Sequence, residues 1–285
     1  MSEGTSQVPD HDYIMSGKIS VIMGVYNAEQ MLPLALDSII KQSYDNWELI
    51  VCDDGSADNS YIVAQEYAER LPDKIHLLHN DTNLGLNATL NRCLAAADGE
   101  FIARQDADDI SHPDRFAHQI SYLVEHPEYS IVSTAMTLFD EQGEWGTIRR
   151  PLHPTMDDLM KGTPFAHAPS MVRADAFAAV GGYSVSDRLL RVEDYHLWYK
   201  MYLRGIRGSN LPEALYLCQD DRSAQGRRKL RYRLNEAYVK WLIWRNLPVR
   251  RRTLPLIVKP ILTGLMPAFL YSKLHRGRHS HPEAS

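Results

Sequence analysis

The chain has 285 residues, of which 44% are hydrophobic and 24% are charged. This composition excludes a disordered, collagen-like or coiled-coil protein, and the length is sufficient for one large domain or two small ones. The charge is distributed unevenly. Residues 222–285 contain 15 Lys and Arg against 2 Asp and Glu, whereas residues 1–221 carry a net charge of -18. This asymmetry predicts an anionic partner for the basic C-terminal segment.

The cysteines and the N-terminus indicate the cellular compartment. Cys52, Cys93 and Cys218 are an odd and scattered set, which argues for a reducing compartment and against structural disulfides or a thiolate zinc site. Residues 1–17 are polar and lack the apolar core of a signal peptide, and no apolar run is long enough to span a membrane. We therefore expect a flexible N-terminus over residues 1–17 and a cytoplasmic protein.

Short apolar runs alternate with amphipathic helical patterns through the first half of the chain. In chain order the predicted strands cover residues 19–25, 48–53, 75–78, 101–103 and 131–139, and the predicted helices cover residues 31–42, 59–71, 86–97 and 113–125. Beyond residue 149 the clearest elements are a helix over residues 193–204 and a strand over residues 214–218. Strands that alternate with helices predict an α/β fold with a parallel, doubly wound sheet.

Carboxylates follow the predicted strands at the sheet edge where such folds bind ligands. Asp106, Asp108 and Asp109 form one cluster, whose mutual repulsion must be offset by a cation or by hydrogen bonds. Two aspartates separated by one residue suit a hard divalent ion that keeps its waters and binds substrate phosphates. The alternative is that Asp109 or Ser111 caps the helix that begins near residue 113.

A second acidic pair, Asp53 and Asp54, lies at the end of the second predicted strand. A turn explains part of this segment, with Gly55 at a special backbone angle and Ser56 or Asp58 capping the next helix. A carboxylate at this position is also suited to accept a hydrogen bond from a nucleotide base or a ribose hydroxyl.

The segments ISVIMGVYNAEQMLPLALDSIIKQSYDNWELIVCDDGSADNS and NLGLNATLNRCLAAADGEFIARQDADD resemble family 2 glycosyltransferases with the GT-A fold, over roughly residues 18–220. The resemblance implies an inverting transfer of a sugar from a nucleotide-diphosphate donor, such as a UDP-sugar, with Mn²⁺ or Mg²⁺. It also implies that Val25 and Tyr26 cradle the base and that Asp54 pairs with it. Asp106 and Asp108 match the metal-binding motif on the donor side. Asp109 prolongs that motif, which leaves open whether Asp108 or Asp109 is the direct ligand.

The segment RVEDYHLWYKMYLRG resembles the Glu–Asp motif of the same family, with Asp194 as the catalytic base. An inverting transfer requires one carboxylate to accept the proton of the attacking hydroxyl. The alternative is that Glu193 and Asp194 only interact with the dipole of a helix N-terminus. The resemblance places His167, Gly182 and Glu193 on the acceptor side, although a structural histidine is equally compatible with the sequence around His167.

The C-terminal region, residues 222–285, is predicted to be basic and helical, whereas residues 18–221 form the catalytic domain. An amphipathic helix over residues 229–244 precedes three arginines and an apolar stretch that Lys259, Pro260 and Pro267 interrupt, which disfavours a membrane-spanning helix. Aromatic, aliphatic and basic residues together favour an interfacial helix on an anionic membrane. The alternative is docking on the acidic body of the same chain. Nucleic acid is not an expected partner, because no binding motif accompanies the charge.

These features predict a glycosyltransferase that is peripheral on the inner face of the plasma membrane. It would act on a lipid-linked saccharide or a polysaccharide acceptor in the synthesis of a cell-envelope polysaccharide or exopolysaccharide. The alternative is a membrane-docked, non-catalytic protein that binds nucleotide sugars with the same fold. An aspartyl phosphatase would carry its nucleophile where this chain has Tyr26 and Asn27, and a dehydrogenase would have a glycine-rich loop there.

Overall fold

The computed structural model describes residues 17–220 and 230–265. Its strands are β1 (Ile19–Val25), β2 (Trp47–Asp53), β3 (Ile75–His79), β4 (Phe101–Arg104), β5 (Ile110–Ser111), β6 (Ile131–Asp140), β7 (Gly143–Ile148), β8 (Met171–Arg173) and β9 (Gly208–Gln219). Its helices are α1 (Leu32–Ile40), α2 (Ser60–Arg70), α3 (Leu86–Ala96), α4 (Arg115–Glu125), α5 (Met156–Lys161), α6 (Ala174–Val180), α7 (Glu193–Leu203), α8 (Leu230–Asn246) and α9 (Pro255–Leu265).

The strands form one sheet in the order β3-β2-β1-β4-β8-β6-β9-β5, with β7 paired to β6. The four strands β3, β2, β1 and β4 are all parallel, as predicted. In the second half, β8 is antiparallel to β4 and β6, β9 is parallel to β6, and β5 is antiparallel to β9. The predicted α/β class is confirmed, and the parallel half carries the carboxyl strand ends at which the acidic motifs lie.

Both faces of the sheet are buried, which explains the continuous apolar run of β1. Val21 and Met23 belong to one core cluster together with Leu36 of α1. Ile22 points to the opposite face and belongs to a second cluster with Leu90 of α3. A strand covered on both sides has no polar face, so its sequence shows no alternation.

The predicted elements of the first half are confirmed to within two residues at each end. The strand predicted over residues 214–218 extends back to Gly208 as β9. Pro212 interrupts its sequence pattern, and the register between β6 and β9 shifts close to this proline, which has no N–H to donate to a ladder. The short elements β5, β7, β8, α5 and α6 were not predicted.

The C-terminal helices pack in two ways. Val239 and Ile243 of α8 are fully buried and belong to the same core cluster as α3 and α7. Gly264 near the end of α9 lies against Leu230 at the start of α8, so the two helices run antiparallel.

Neither these helices nor any other in the described part of the chain combines the length and the apolar character that crossing a bilayer requires. The predicted flexible N-terminus, apart from Gly17, and the apolar residues beyond Leu265 lie outside the described residues.

Candidate active site

Two adjoining cavities open at the carboxyl ends of the parallel strands. The larger has a volume of about 770 Å³ and the smaller about 460 Å³. They share the lining residues Gly24, Tyr26, Leu86, Arg191 and Glu193. The two cavities therefore form one cleft, at the edge where a doubly wound sheet binds its ligands.

The loops after β1 and β2 fix one wall of this cleft by binding each other. The Asn27 backbone N–H donates to Ser56 Oγ at 3.0 Å, and the Ala57 N–H donates to Asn27 Oδ1 at 2.8 Å. Asn27 adopts a left-handed φ of 51°, which an asparagine tolerates well. The neighbouring Tyr26 ring is thereby held at the junction of the two cavities, with 51% of its surface exposed.

Asp54 holds the loop that forms the floor of the smaller cavity. Its Oδ1 accepts hydrogen bonds from Asn80 Nδ2 (2.7 Å) and the Leu84 N–H (2.8 Å), and its Oδ2 accepts one from the Gly85 N–H (2.9 Å). The residues predicted to contact the base all line this cavity: Val25, Tyr26 and Asp54. Asp53, in contrast, is fully buried and lines neither cavity.

The predicted metal-binding carboxylates come together next to the larger cavity. Asp106, Asp108 and Asp109 each offer an oxygen atom within 4.8 Å of the others. Asp106 and Asp108 line the cavity. Asp109 is only 2% exposed, and it accepts a hydrogen bond from the Gln219 N–H at 2.7 Å. Asp106 and Asp108 are therefore the members of the cluster that a ligand in the cavity can reach.

The acidic cluster carries more negative charge than its surroundings neutralise. Burial, together with the carboxylates of Asp106 and Asp108, raises the pKa of Asp109 to about 8. Burial and the Asp106 carboxylate also raise the pKa of Asp108. Carboxylates that raise one another's pKa in this way are suited to bind a divalent cation, because its positive charge would allow all of them to ionise.

Arg104, two residues before the cluster, offsets part of this charge. It is a buried residue whose Nη2 lies 2.5 Å from Asp106 Oδ1. Burial opposes the charge of the guanidinium, but the Asp106 carboxylate prevails and raises the pKa of Arg104. Arg104 therefore orients Asp106 through this ion pair.

His167 lies in the wall of the larger cavity, where its Nε2 is 2.8 Å from the hydroxyl of Tyr183. Burial, with a contribution from the Arg104 charge, lowers the pKa of His167 well below its usual value. The imidazole is consequently neutral at pH 7 and serves as a hydrogen-bonding group rather than a cation.

Glu193 and Asp194 form the first turn of α7 and line the same cavity as Asp106 and Asp108. The helix behind them is firmly anchored. Tyr195 is almost fully buried, and its hydroxyl donates a hydrogen bond to the backbone carbonyl of Leu159. The structure thus brings the predicted base and the predicted metal ligands to one cavity, although about 85 residues separate them in the chain.

Gly182, predicted on the acceptor side, lines neither cavity. It adopts a φ of 66°, and a Cβ atom there would lie 2.6 Å from Asn91 Oδ1. Its carbonyl accepts a hydrogen bond from Lys200 Nζ at 2.5 Å. The structure therefore gives Gly182 a role in the turn after α6, and of the predicted acceptor-side residues only His167 and Glu193 reach the cleft.

Sequence reasoning missed Arg104 and Arg191, which line the cleft. Each precedes an acidic motif by two residues, Asp106 in one case and Glu193 in the other. A basic residue beside each acidic motif was the available signal.

Comparison with known proteins identifies the family. Residues 20–181 match the model of glycosyl transferase family 2. EpsE of Bacillus subtilis, which carries the name of a glycosyltransferase, is 42% identical over 92% of this chain and 94% of its own length. The amylovoran biosynthesis glycosyltransferase AmsE of Erwinia amylovora is 32% identical over 90% of this chain and 99% of its own. A shorter match, 39% identical over 38% of this chain and 42% of the relative, is to the UDP-Glc:alpha-D-GlcNAc-diphosphoundecaprenol beta-1,3-glucosyltransferase WfgD of Escherichia coli.

Solved structures share the fold. Residues 1–349 of S. aureus TarS in complex with UDP-GlcNAc align with a TM-score of 0.69 and 18% identity, over 90% of this chain and 74% of that one. The mannosyltransferase PcManGT of Pyrobaculum calidifontis, in complex with GDP-Man and Mn²⁺, aligns with a TM-score of 0.62 and 21% identity, over 87% and 68% of the two chains. These alignments confirm the predicted GT-A type fold.

Proposed function

The chain belongs to glycosyl transferase family 2, and we propose that it transfers a sugar from a UDP-sugar to a lipid-linked saccharide or a polysaccharide during the synthesis of a cell-envelope polysaccharide or exopolysaccharide. The observation that carries this proposal is the single cleft that joins the Asp54 pocket to the Asp106–Asp108 carboxylates and to Asp194. The names of WfgD and AmsE, and the UDP-GlcNAc complex of TarS, support the donor and the pathway class.

The base of the donor would occupy the smaller cavity. Asp54 Oδ1 already accepts two hydrogen bonds, whereas Oδ2 accepts one, from the Gly85 N–H. Because a carboxylate oxygen has two lone pairs, Oδ2 retains the capacity to accept a base N–H. The half-exposed Tyr26 ring offers an apolar surface beside it. Asp54 would thus bind the base and at the same time hold the loop that lines the base pocket.

Asp106 and Asp108 would hold Mn²⁺ or Mg²⁺, because carboxylate oxygens are the ligands that these hard cations prefer. The PcManGT complex contains Mn²⁺ on a similar fold. When bound, such an ion stabilises the charge of a departing diphosphate as a Lewis acid. Asp109 accepts a hydrogen bond from the Gln219 N–H and would thereby fix the geometry of the loop that carries Asp106 and Asp108.

Asp194 would act as the general base. It takes the proton of the acceptor hydroxyl while that oxygen forms a bond to the anomeric carbon. The bond from the anomeric carbon to the phosphate oxygen breaks in the same displacement, and the diphosphate leaves with the electron pair, so the configuration inverts. The neutral His167 in the same cavity wall is placed to hydrogen-bond a hydroxyl of either sugar.

The C-terminal region would hold the enzyme at the membrane that contains a lipid-linked acceptor. In α9 and the residue before it, four exposed apolar residues recur on one helical face, namely Leu254, Val258, Leu262 and Leu265. A helix that exposes an apolar stripe beside basic residues such as Arg251, Arg252 and Lys259 suits an interface with anionic lipid.

A second copy of the chain is a poorer partner for this stripe. Residues 230–265 contain 8 Lys and Arg and 1 Glu, so two such surfaces would repel each other. We propose that α9 makes the protein peripheral on the cytoplasmic face of the plasma membrane.

The test is an assay of UDP release from a panel of nucleotide sugars with a diphosphoundecaprenol-linked sugar as acceptor, with and without Mn²⁺. We expect Mn²⁺-dependent turnover that Asp108→Asn abolishes. Asp98→Asn is the matched control, since Asp98 is an exposed carboxylate that pairs with Lys18 away from the cleft. Nucleotide binding without turnover of any sugar would instead favour the non-catalytic binding protein.

A further inference from the structure

Arg191, which lines both cavities of the cleft, has an unusual backbone conformation. Within the described residues, Asn27 and Arg191 are the non-glycine positions with a positive φ, 51° and 65° respectively. Asparagine visits this region readily, whereas arginine does so only when its surroundings impose the conformation. Backbone strain of this kind concentrates at ligand-binding sites.

The turn that imposes this conformation is tied to two other parts of the fold. Val192 N–H donates to the Leu189 carbonyl at 3.1 Å, which closes the short 3-10 turn Asp187–Leu189 against the start of α7. Asn235 of α8 donates to the Leu190 carbonyl at 3.0 Å. The turn therefore carries Arg191 at a defined position just before Glu193.

Arg191 lies at the junction of the two cavities and lines both of them. On one side is the pocket of Asp54, which we assign to the base. On the other side are Asp106, Asp108 and Asp194, which we assign to the metal and to the chemistry. A nucleotide sugar that spans these two pockets must pass its diphosphate through the junction.

The charges of the cleft make this arginine distinctive. The described carboxylates that line the cleft are Glu29, Asp54, Asp58, Asp106, Asp108, Asp187, Glu193 and Asp194. Among the described residues 17–220 and 230–265, the arginines that line the cleft are Arg104 and Arg191, and Arg104 is paired with Asp106. The exposed side chain of Arg191 makes no ion pair with residues 17–220 or 230–265. Its guanidinium is thus available to an anionic ligand.

We propose that Arg191 binds the diphosphate of the donor, an assignment that rests on the proposed nucleotide-sugar function. A guanidinium matches phosphate oxygens in a bidentate geometry. As the bond to the anomeric carbon breaks, the diphosphate gains negative charge, so a cation fixed beside it stabilises the transition state more than the bound donor. The left-handed backbone sets the direction in which Arg191 enters the junction.

The test separates the guanidinium from the backbone strain. Arg191→Gly removes the side chain and relieves the positive φ, Arg191→Ala removes the side chain and keeps the strain, and Arg191→Lys keeps the charge without the planar fork. Arg188→Ala is the matched control, because Arg188 lies in the same turn as Arg191, stacks over the Tyr238 ring of α8 and lines neither cavity. The measurement is calorimetric affinity for UDP and for uridine, with the thermal midpoint of each variant.

We expect Arg191→Gly and Arg191→Ala to weaken UDP binding at least tenfold and to leave uridine binding unchanged, with Arg191→Lys in between. Arg191→Gly should be at least as stable as the wild type, and Arg188→Ala should bind both ligands normally. Unchanged UDP affinity in Arg191→Gly would overturn the assignment. An equal loss of UDP and uridine affinity would also overturn it, because that result indicates a collapsed turn. A wild-type protein that does not bind UDP would defeat the proposed function itself, and the two failures are therefore distinguishable.

Discussion

The body of the molecule, residues 17–220, and its described C-terminal helices, residues 230–265, expose apolar side chains in different ways. In the body, several exposed apolar residues rim the cleft, among them Leu84, Val185 and Leu190. In α9 and the residue before it they form a stripe along one helical face, consisting of Leu254, Val258, Leu262 and Leu265. An exposed apolar residue thus indicates a substrate pocket in the body and an extended interface in α9. The residues that surround it distinguish the two cases.

The C-terminal region is itself divided. α8 buries Val239 and Ile243 in the same core cluster as α7 and holds the turn before Arg191, so it packs as part of the body. Among the residues of α9, only Pro260 is buried. Net charge does not separate these two helices, since both are basic. Burial separates them, because α8 is packed into the core whereas most of α9 is exposed or half-buried.

The largest expected effect lies in the body, at the proposed base. Asp194→Asn should reduce turnover by about 10²–10⁴-fold, because the variant cannot accept the acceptor proton. Donor affinity, measured by calorimetry, should be nearly unchanged. Asp175→Asn is the matched control, since Asp175 is an exposed acid in the first turn of α6 and interacts with a helix dipole in the same way. A loss below about tenfold, or equal losses in both variants, would reduce Asp194 to a helix-terminus charge.

The division between α8 and α9 predicts different effects on stability. Ile243→Ala in α8 should lower the free energy of unfolding by about 2–5 kcal/mol, because it leaves a cavity in the core. Leu262→Ala in α9 should change it by less than about 0.5 kcal/mol, since Leu262 is 62% exposed. Urea unfolding measures both. Equal losses at the two positions would mean that the stripe of α9 is covered in solution.

Much of the fold was predictable because its signals are local. The buried run of β1 and the amphipathic pattern of α3 fix their elements to within a residue. β5 has two residues and β8 has three, which is too short for any periodicity to appear. These strands form because distant partners pair with them, as Ile110 does with Leu217 of β9. Sequence patterns carry no information about such partners.

The site was predictable as a set of acids but not as a geometry. The resemblance located Asp106, Asp108 and Asp194, and the structure adds that Asp109 is buried behind them. The resemblance could not reveal that the Asp54 carboxylate accepts three hydrogen bonds from the protein itself, because two of the donors are backbone N–H groups. Arg191 was missed because its importance lies in a backbone angle and in its position between two cavities, which a basic residue two positions before an acidic motif does not reveal by itself.

The stripe of α9 predicts binding to anionic vesicles. Each basic residue near an anionic surface contributes about 1 kcal/mol, which is screened by salt. Changing Leu254, Val258 and Leu262 to Ser, or Arg251 and Arg252 to Ala, should release the protein in co-sedimentation with phosphatidylglycerol vesicles at low salt. Phosphatidylcholine vesicles are the matched control and should bind weakly. A protein that stays in the supernatant with anionic vesicles, or that forms a salt-sensitive dimer instead, would contradict the membrane assignment.

The smallest expected effect concerns the ion pair that joins the C-terminal region to the body. Arg250 Nε lies 3.1 Å from Asp157 Oδ2 in the first turn of α5, and the Arg250 side chain is 65% exposed. Solvent screens such a pair, so a double-mutant cycle with Arg250→Gln and Asp157→Asn should give a coupling of about 0.2–1 kcal/mol in urea unfolding. The coupling should fall further in 1 M NaCl. A coupling above about 2 kcal/mol would show that this junction, rather than the buried face of α8, holds the C-terminal helices on the catalytic body.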